Sequence, residues 1–477
     1  MATANKRTLA RRTEQPVEQR HPETAMTQNN TVDIAHVIET QERSWFTLSL
    51  FILCALVMLA DGFDNQALNY AAPGIIKEWG INRALMTPVF NISIVGWMAG
   101  SVVFAMLADR IGRRRAILLA TSLFGVFTFA VPFAHNLVEL SVLRFCAALG
   151  IGGGMPMAVS LITDYARSGK RGLIITLLYL GYTAGSSGGG LLAAEIIPAY
   201  GWRSVFYVGG AGAVVAGIIL LIGLPESIRY LTLRKPGSER ILHYARKLKP
   251  SAHFADDTRF SIPEQIRTGV PVRHLFTEGR SAMTAFLWLG LGLSFVTHFF
   301  LSQWMTTLLT DEIGYANAAR SQALFQLGAG FSWFFGWLID RKGVSVMTLT
   351  MILGAIPVAA LGVAVGTGAS LTMAMALISG LLVLGGNIGL NAISSMIYPT
   401  FIRSTATGAS FAVARIGAII GPLLAGLLIA VGTPIGTIFL LGALPLLAAG
   451  VACFMLNRTI TPEAAREMSL RSALSRH

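Results

Sequence analysis

The feature that most constrains this chain is a repetition of apolar runs of about 20 residues, the length at which an α-helix crosses a hydrocarbon layer. Twelve such runs can be placed, at 44–70, 87–108, 115–133, 137–163, 172–196, 203–224, 282–309, 318–339, 344–366, 370–397, 404–430 and 434–456. Lipid offers no partner to an open strand edge, and the runs are far longer than barrel strands, so each is expected to be a helix. Composition agrees. Charged residues are 13% of the chain and hydrophobic residues 53%, against a charged share of about 25% in soluble domains. The expected fold class is all-α integral membrane, with twelve transmembrane helices.

The net charge of +13 invites a nucleic-acid reading, but its distribution points elsewhere. Of 37 Lys and Arg residues, 31 fall in the two terminal tails and in alternate loops, eleven of them in the long central loop. Four lie at the other ends of the spans, and Arg144 and Arg415 lie within spans. That is the positive-inside asymmetry. It predicts cytoplasmic termini and a bilayer, not a nucleic acid, as the partner, with the inner (plasma) membrane as the location. Residues 1–43 are polar with no signal-peptide core, so the first span acts as its own insertion signal. Met26 opens a more ordinary tail, and residues 1–25 are expected to be either dispensable or the product of a misplaced start. Cys54, Cys146 and Cys453 all fall in apolar runs, where a small hydrophobe is the ordinary use of cysteine. No metal spacing, nucleophile elbow, phosphate loop or haem site occurs, so no cofactor, metal or enzymatic activity is expected. No obligate protein partner is evident.

The runs divide six and six around the charged stretch 225–281, and the halves echo each other. FAMLADRIGRRRA (104–116) follows the second run, and FGWLIDRKGVSV (335–346) the eighth. Asp109–Arg110 and Asp340–Arg341 lie 231 residues apart, each with a glycine three after the aspartate, Gly112 and Gly343. TDYARSGKRG (163–172) and IYPTFIRSTATG (397–408) repeat at nearly the same offset. The expected organisation is a tail 1–43, a six-helix bundle 44–224, a central loop 225–281, a second bundle 282–456 and a tail 457–477. Residues 239–249 read equally as a short basic helix or a solvated linker. Parallel six-helix repeats place a transport pathway at their interface.

The loop after the second run resembles the signature of the major facilitator superfamily, with Ala105 in place of its first glycine and Gly336 keeping it in the second half. RFCAALGIGGGMP (144–156) resembles the superfamily's fourth-helix motif, an Arg followed by spaced glycines. The match narrows with DGFD (61–64), GWRSVFYVGG (201–210), LPES (224–227), LSQWMTTLL (301–309), YPTFIRSTATG and ARIGAIIGP (414–422). Together these resemble the aromatic acid:proton symporter family over nearly all of residues 31–456. Sugar porters also carry PES, there followed by Pro-Arg, whereas Ile228 follows Ser227 here. LGYTAGSSGGG (180–190) lacks the Gly-Pro pair of the antiporter motif.

The ionisable residues inside the apolar runs are the functional candidates, because an intramembrane charge is costly. Asp61 and Asp64 stand three apart, nearly on one helical face and roughly 24–29 Å from the start of the first run. Two such carboxylates cannot both ionise easily, so the pair is the expected proton-coupling element, with the division of labour open. Arg144 lies at similar depth. It either attracts a substrate carboxylate, modulates the carboxylate proton or simply neutralises an aspartate. Arg415, roughly 18 Å into the eleventh run, has no acidic neighbour within a turn, and its planar guanidinium suits a substrate carboxylate. Trp304, Gln303, His298, Asn387, Asn391 and Tyr179 are candidate cavity residues for an aromatic ring and its hydroxyls. The gating loop is read as Asp109, Arg110, Gly112, Arg113 and Arg114 with Asp340, Arg341 and Gly343, where an Asp–Arg pair at a tight glycine turn locks helix ends in one state and frees them in another.

The resemblance implies a secondary active transporter that imports an aromatic carboxylate with protons by alternating access. A facilitator for another small organic anion, polyol or sugar is the nearest alternative. A non-transporting membrane receptor for aromatic acids is a third.

Overall fold

Apolar runs with few charges leave each backbone no partner but itself. In the computed structural model the described residues are 31–42, 44–256, 258–262, 272–399 and 402–460, with the side chains of Ser332, Trp333, Asp340 and Ser404 outside that set. They form sixteen α-helices and one two-stranded sheet. After β1 (Thr31–Asp33) and α1 (Ile34–Glu39), the first half runs α2 (Trp45–Trp79), α3 (Met86–Ile111), α4 (Arg113–Ala130), α5 (Leu137–Thr163), α6 (Arg171–Tyr200) and α7 (Arg203–Gly223). The connection carries α8 (Ile228–Arg234), α9 (Glu239–Leu248) and β2 (Arg259–Ser261). The second half runs α10 (Ser281–Ile313), α11 (Tyr315–Leu327), α12 (Ser332–Lys342), α13 (Ser345–Ala364), α14 (Ala369–Met396), α15 (Arg403–Ala430) and α16 (Ile435–Thr459).

Ten of these spans, α4 counted with the short 3₁₀ turn that follows it, are long and apolar enough to cross a membrane by length and composition alone. The fifth and eighth expected spans fall short for different reasons. The middle of α6 reads TAGSSGGG, small and polar. The eighth span is not continuous: a 3₁₀ turn at Gly328–Phe331 separates α11 from α12. Expected to stop at residue 70, the first span continues as one helix through Pro73 to Trp79, where Gly80 caps it in the left-handed conformation at φ 62°. At that end Glu78 accepts hydrogen bonds from the Trp202 indole at 2.8 Å and Arg203 at 2.7 Å, which accounts for the GWR of the sixth span.

Packing repeats between the halves. α2 lies on α6 and α3 on α5, as α10 lies on α15 and α11 on α14. Glycine makes these crossings close. A Cβ on Gly185 would land on the Leu59 carbonyl and one on Gly100 on the Leu149 carbonyl, and in the second half Gly417 and Gly380 stand in the same relation to Gly292 and Phe325.

Residues 239–248 are a helix, not a linker: Ile241, Ala245 and Leu248 are buried. With β1 pairing β2 in parallel, Val32 opposite Phe260, this helix and α1 build a small cap at the end that carries the basic loops. Its described contacts run to the first half. Gln41 donates to the Tyr165 carbonyl at 2.8 Å, and the Tyr244 ring stacks on Phe46. The expectation for residues 1–25 lies outside the described residues.

The halves meet at the opposite end. Ser187 Oγ donates to the Ala323 carbonyl at 2.8 Å, Tyr315 Oη to the Tyr70 carbonyl at 3.1 Å, and Arg320 pairs with Glu195 at 2.6 Å. Arg83 pairs with Asp311. Deeper, Gln66 of α2, Ser302 of α10 and Gln322 and Gln326 of α11 form an uncharged network. Gln66 donates to Ser302 at 3.1 Å and Gln326 to the same hydroxyl at 3.0 Å. The bundle is therefore shut at the end remote from the basic loops.

Candidate functional site

α2 brings its two aspartates into different surroundings. Asp64 faces α4 and α5. It accepts from Thr128 Oγ1 at 2.7 Å and from Arg144 Nη1 at 3.2 Å, and Arg144 Nη2 also donates to the Asp64 carbonyl at 3.2 Å. Both side chains of this ion pair are almost fully buried, at 1% and 2% exposure. The Phe206 ring lies 5.7 Å from the guanidinium. Asp61, 1% exposed, lies against the α5 backbone at Gly154 and Met155, where the missing side chain of Gly154 makes its room. Neither of its oxygens has a side-chain hydrogen-bond or ion-pair partner among the described residues. The Asp pair thus separates into one salt-bridged and one unpaired carboxyl.

Arg415 sits on α15 with its guanidinium 4.2 Å from the ring of Trp97 in α3, across the boundary between the halves. Its Nη1 is buried without a hydrogen-bond partner among the described residues. Gly417 and Gly421, on the face packed against α10, bring the two helices together two and six residues beyond it.

His298, Asn387 and Asn391 come together with Ser294. Ser294 Oγ donates to Asn387 Oδ1 at 2.5 Å, the Asn387 amide lies 3.3 Å from His298 Nδ1, and Asn391 donates to the Asn387 carbonyl at 2.9 Å. Asn391 Oδ1 is buried and has no hydrogen-bond partner among the described residues. The His298 ring lies among Phe295, Phe299 and Phe325. The other candidates do not join this group. Trp304, expected as a cavity wall, is fully buried: its indole donates to the Pro422 carbonyl at 3.2 Å, and its ring meets Phe90 edge-on. It seals the boundary between the halves. Gln303 is buried beside the Gln66–Ser302 network, its Oε1 without a partner among the described residues. Tyr179 stands 43% exposed.

At the basic end the first gating loop is engaged through its arginines. Gly112 turns at φ 100°, and a Cβ there would strike the Glu226 carboxylate. Arg113 pairs with Asp164 and donates to the Ser160 carbonyl at 2.8 Å. The Arg114 backbone N–H reaches Glu226 at 3.0 Å, and its side chain reaches the Leu224 carbonyl at 2.7 Å. Asp109 and Arg110 are exposed. Arg110 contributes its carbonyl to Tyr230 Oη at 3.0 Å. The carboxylates serving this loop are therefore Asp164 and Glu226, which sequence reasoning did not assign although both stand in segments it quoted, TDYARSGKRG and LPES. Nearby, the Ser168 hydroxyl and backbone N–H donate to Glu39 and hold its carboxyl below the usual carboxylate range. In the second loop Gly343 turns at φ 71° and Arg341 stacks 4.2 Å from the Trp337 ring. The side chain of Asp340 lies outside the described set.

A cleft of about 530 Å³ opens at the basic end between the start of α2 and the α5–α6 loop, lined by Trp45, Tyr165, Arg167 and Lys170. It contains none of the predicted substrate residues. Among the described residues no group of three or more His, Cys, Asp or Glu could hold a metal.

The description of the Major Facilitator Superfamily matches residues 54–390. The chain belongs to the major facilitator superfamily. Its similarity to curated relatives runs nearly end to end. It is 32% identical over 425 residues to the gallate transporter of Pseudomonas putida, covering 88% of this chain and 94% of that one. It is 33% identical over 398 residues to the 4-hydroxybenzoate transporter PcaK of the same organism, covering 82% and 88%. These relatives place this superfamily member beside aromatic-acid transporters, as the DGFD and YPTFIRSTATG motifs implied, and they make it a transporter rather than an enzyme. Among solved structures it resembles a bacterial homolog of the human lysosomal transporter Spinster in an inward-facing, unoccupied conformation, with a TM-score of 0.66 at 15% identity over 90% of this chain and 99% of that one. The D-xylose–proton symporter gives 0.64 at 14% identity over 84% and 97%. At such identities the likeness concerns the superfamily fold of twelve helices in two repeats.

Proposed function

We propose that this transporter imports an aromatic carboxylate together with one or more protons by alternating access, across the inner (plasma) membrane with both termini in the cytoplasm. The observation that carries the reading is the contrast between the two aspartates. Asp64 has a permanent counter-charge in Arg144, whereas Asp61 is buried with no ion-pair partner among the described residues. An unbalanced carboxyl at that depth is tolerable when it holds a proton, and it can surrender the proton when the halves move and water reaches it. Asp61 is the proton carrier in this reading, and the Asp64–Arg144 pair fixes α2 against α5. Arg415 takes the substrate carboxylate through its free N–H edge. The Ser294–Asn387–His298–Asn391 group on α10 and α14 receives the far end of the ring.

Coupling follows from charge. An inside-negative potential opposes inward movement of an anion by about 2.3 kcal/mol per charge per 100 mV. One accompanying proton removes that penalty, and a second turns the potential into a driving force. The names of the curated relatives, which refer to gallate and 4-hydroxybenzoate, support the substrate class. The 31 basic residues at the tails and alternate loops support the orientation.

The test is uptake of a labelled panel of aromatic acids, sugars and polyols into proteoliposomes with an imposed pH gradient, acidic outside. Accumulation of an aromatic acid above its outside concentration, abolished by a protonophore, is the expected result. Uptake that only equilibrates, or that prefers the sugars, refutes the reading.

A further inference from the structure

This inference rests on the reading of Arg415 as the carboxylate-binding residue and assigns the residue that orients it. Arg415 belongs to the second half, yet the group that covers its guanidinium belongs to the first: the Trp97 ring, 4.2 Å away. A guanidinium stacks on a ring through its face and binds a carboxylate through N–H groups in its own plane. The two uses do not compete. A guanidinium that lies over an indole can keep its N–H edge for a carboxylate, and Arg415 Nη1 is buried with no hydrogen-bond partner among the described residues.

Trp97 itself is firmly seated. Its carbonyl lies where a Cβ on Gly152 of α5 would fall, so α3 and α5 touch there backbone to backbone. Its side chain packs against the cluster of Phe124, Ile151 and Ala213, against which Ala60 also packs. Ala60 is the residue before Asp61. The indole therefore belongs to the first half and packs on the same cluster as Ala60, the neighbour of Asp61.

We propose that Trp97 is a positioning residue for substrate: it holds the guanidinium of Arg415 flat, with its edge turned to the incoming carboxylate. Because the platform is lent by one half to the other, the strength of carboxylate binding follows how the halves are disposed. Neutral analogues of the substrate do not use this device.

The experiment measures uptake of labelled 4-hydroxybenzoate into proteoliposomes of the full-length protein, with unlabelled benzoate or benzamide as competitor, for wild type, Trp97→Phe and Trp97→Leu. Trp97→Leu is expected to raise KM by about 3- to 30-fold, the range of a lost cation–π contact, with a smaller change in the maximal rate. Trp97→Phe, which keeps a ring, stays within about 3-fold of wild type. Benzoate loses potency as a competitor in Trp97→Leu by the same factor as KM rises, while benzamide does not. An unchanged KM in Trp97→Leu, an equal loss for benzoate and benzamide, or a Phe variant no better than Leu overturns the proposal. Should Trp97→Leu fail to fold, Trp97→Tyr and Trp97→Met replace it, the ring keeping the benzoate preference and the thioether losing it. Absence of aromatic-acid uptake in wild type would defeat the functional reading beneath the proposal, whereas wild-type uptake with an indifferent Trp97 defeats the positioning role alone.

Discussion

Asp61 and Asp64 stand three residues apart on one helix but meet opposite fates, and the difference is set by what α4 and α5 present to each. Thr128 and Arg144 reach Asp64, whereas Asp61 meets the bare backbone of Gly154. Breaking a buried ion pair by removing one partner costs about 3–5 kcal/mol, because the other charge is left uncompensated. Arg144→Gln and Asp64→Asn are therefore each expected to lower the melting temperature in detergent markedly, while the double variant recovers much of the loss. Asp61→Asn removes an unbalanced group. It is expected to leave thermal stability intact or improved, to abolish accumulation driven by a pH gradient, and to retain exchange of labelled for unlabelled substrate. Full accumulation in Asp61→Asn would disprove its role. The sequence made the depth of Asp61, Asp64 and Arg144 legible, since residue counts along helices give axial position. It could not say which aspartate Arg144 meets. That depends on how α5 is rotated against α2, which is decided by the glycine contacts of both helices.

At the level of helices, glycine placement governs which elements touch. A side chain on Gly100 would collide with the Leu149 carbonyl, whereas nothing lies within 4 Å of a Cβ on Gly188. Gly100→Val is expected to sharply reduce the yield of folded protein, measured by size-exclusion chromatography. Gly188→Ala is expected to be neutral or slightly stabilising, within the ~1 kcal/mol that separates Gly from Ala in a helix. The apolar period announced most of the spans, and it weakened where glycine and serine accumulate in α6 and where the GAG of the eighth span opens a 3₁₀ turn. The cap at the basic end was illegible for another reason. β1 and β2 pair across more than 200 residues, and a three-residue parallel strand carries no local signal of its partner. Removal of residues 1–25 is expected to leave uptake and melting temperature unchanged. Removal through Asp33 takes away β1 and is expected to lower the melting temperature.

Across the whole transporter, the contacts between halves gather at one end, which makes a direct demand on the transport cycle. If the halves rock, Ser187 and Ala323 must separate each time the shut end opens. A Ser187→Cys, Ala323→Cys pair, whose positions are joined here by a 2.8 Å hydrogen bond, is expected to stop uptake on oxidation and to recover it on reduction. Uptake unaffected by a complete cross-link would exclude rocking at this boundary. The cap adds an asymmetry that the internal repeat by itself does not contain. Its folded platform of α1, α9 and the strand pair grips the ends of α2 and α5 in the first half, with no matching platform on the second half among the described residues. The two repeats are thus unequal as machine parts: if the halves rock, the one mounted on this plinth is expected to serve as stator and the other, hung from the chain that leaves it, to swing as the rotor.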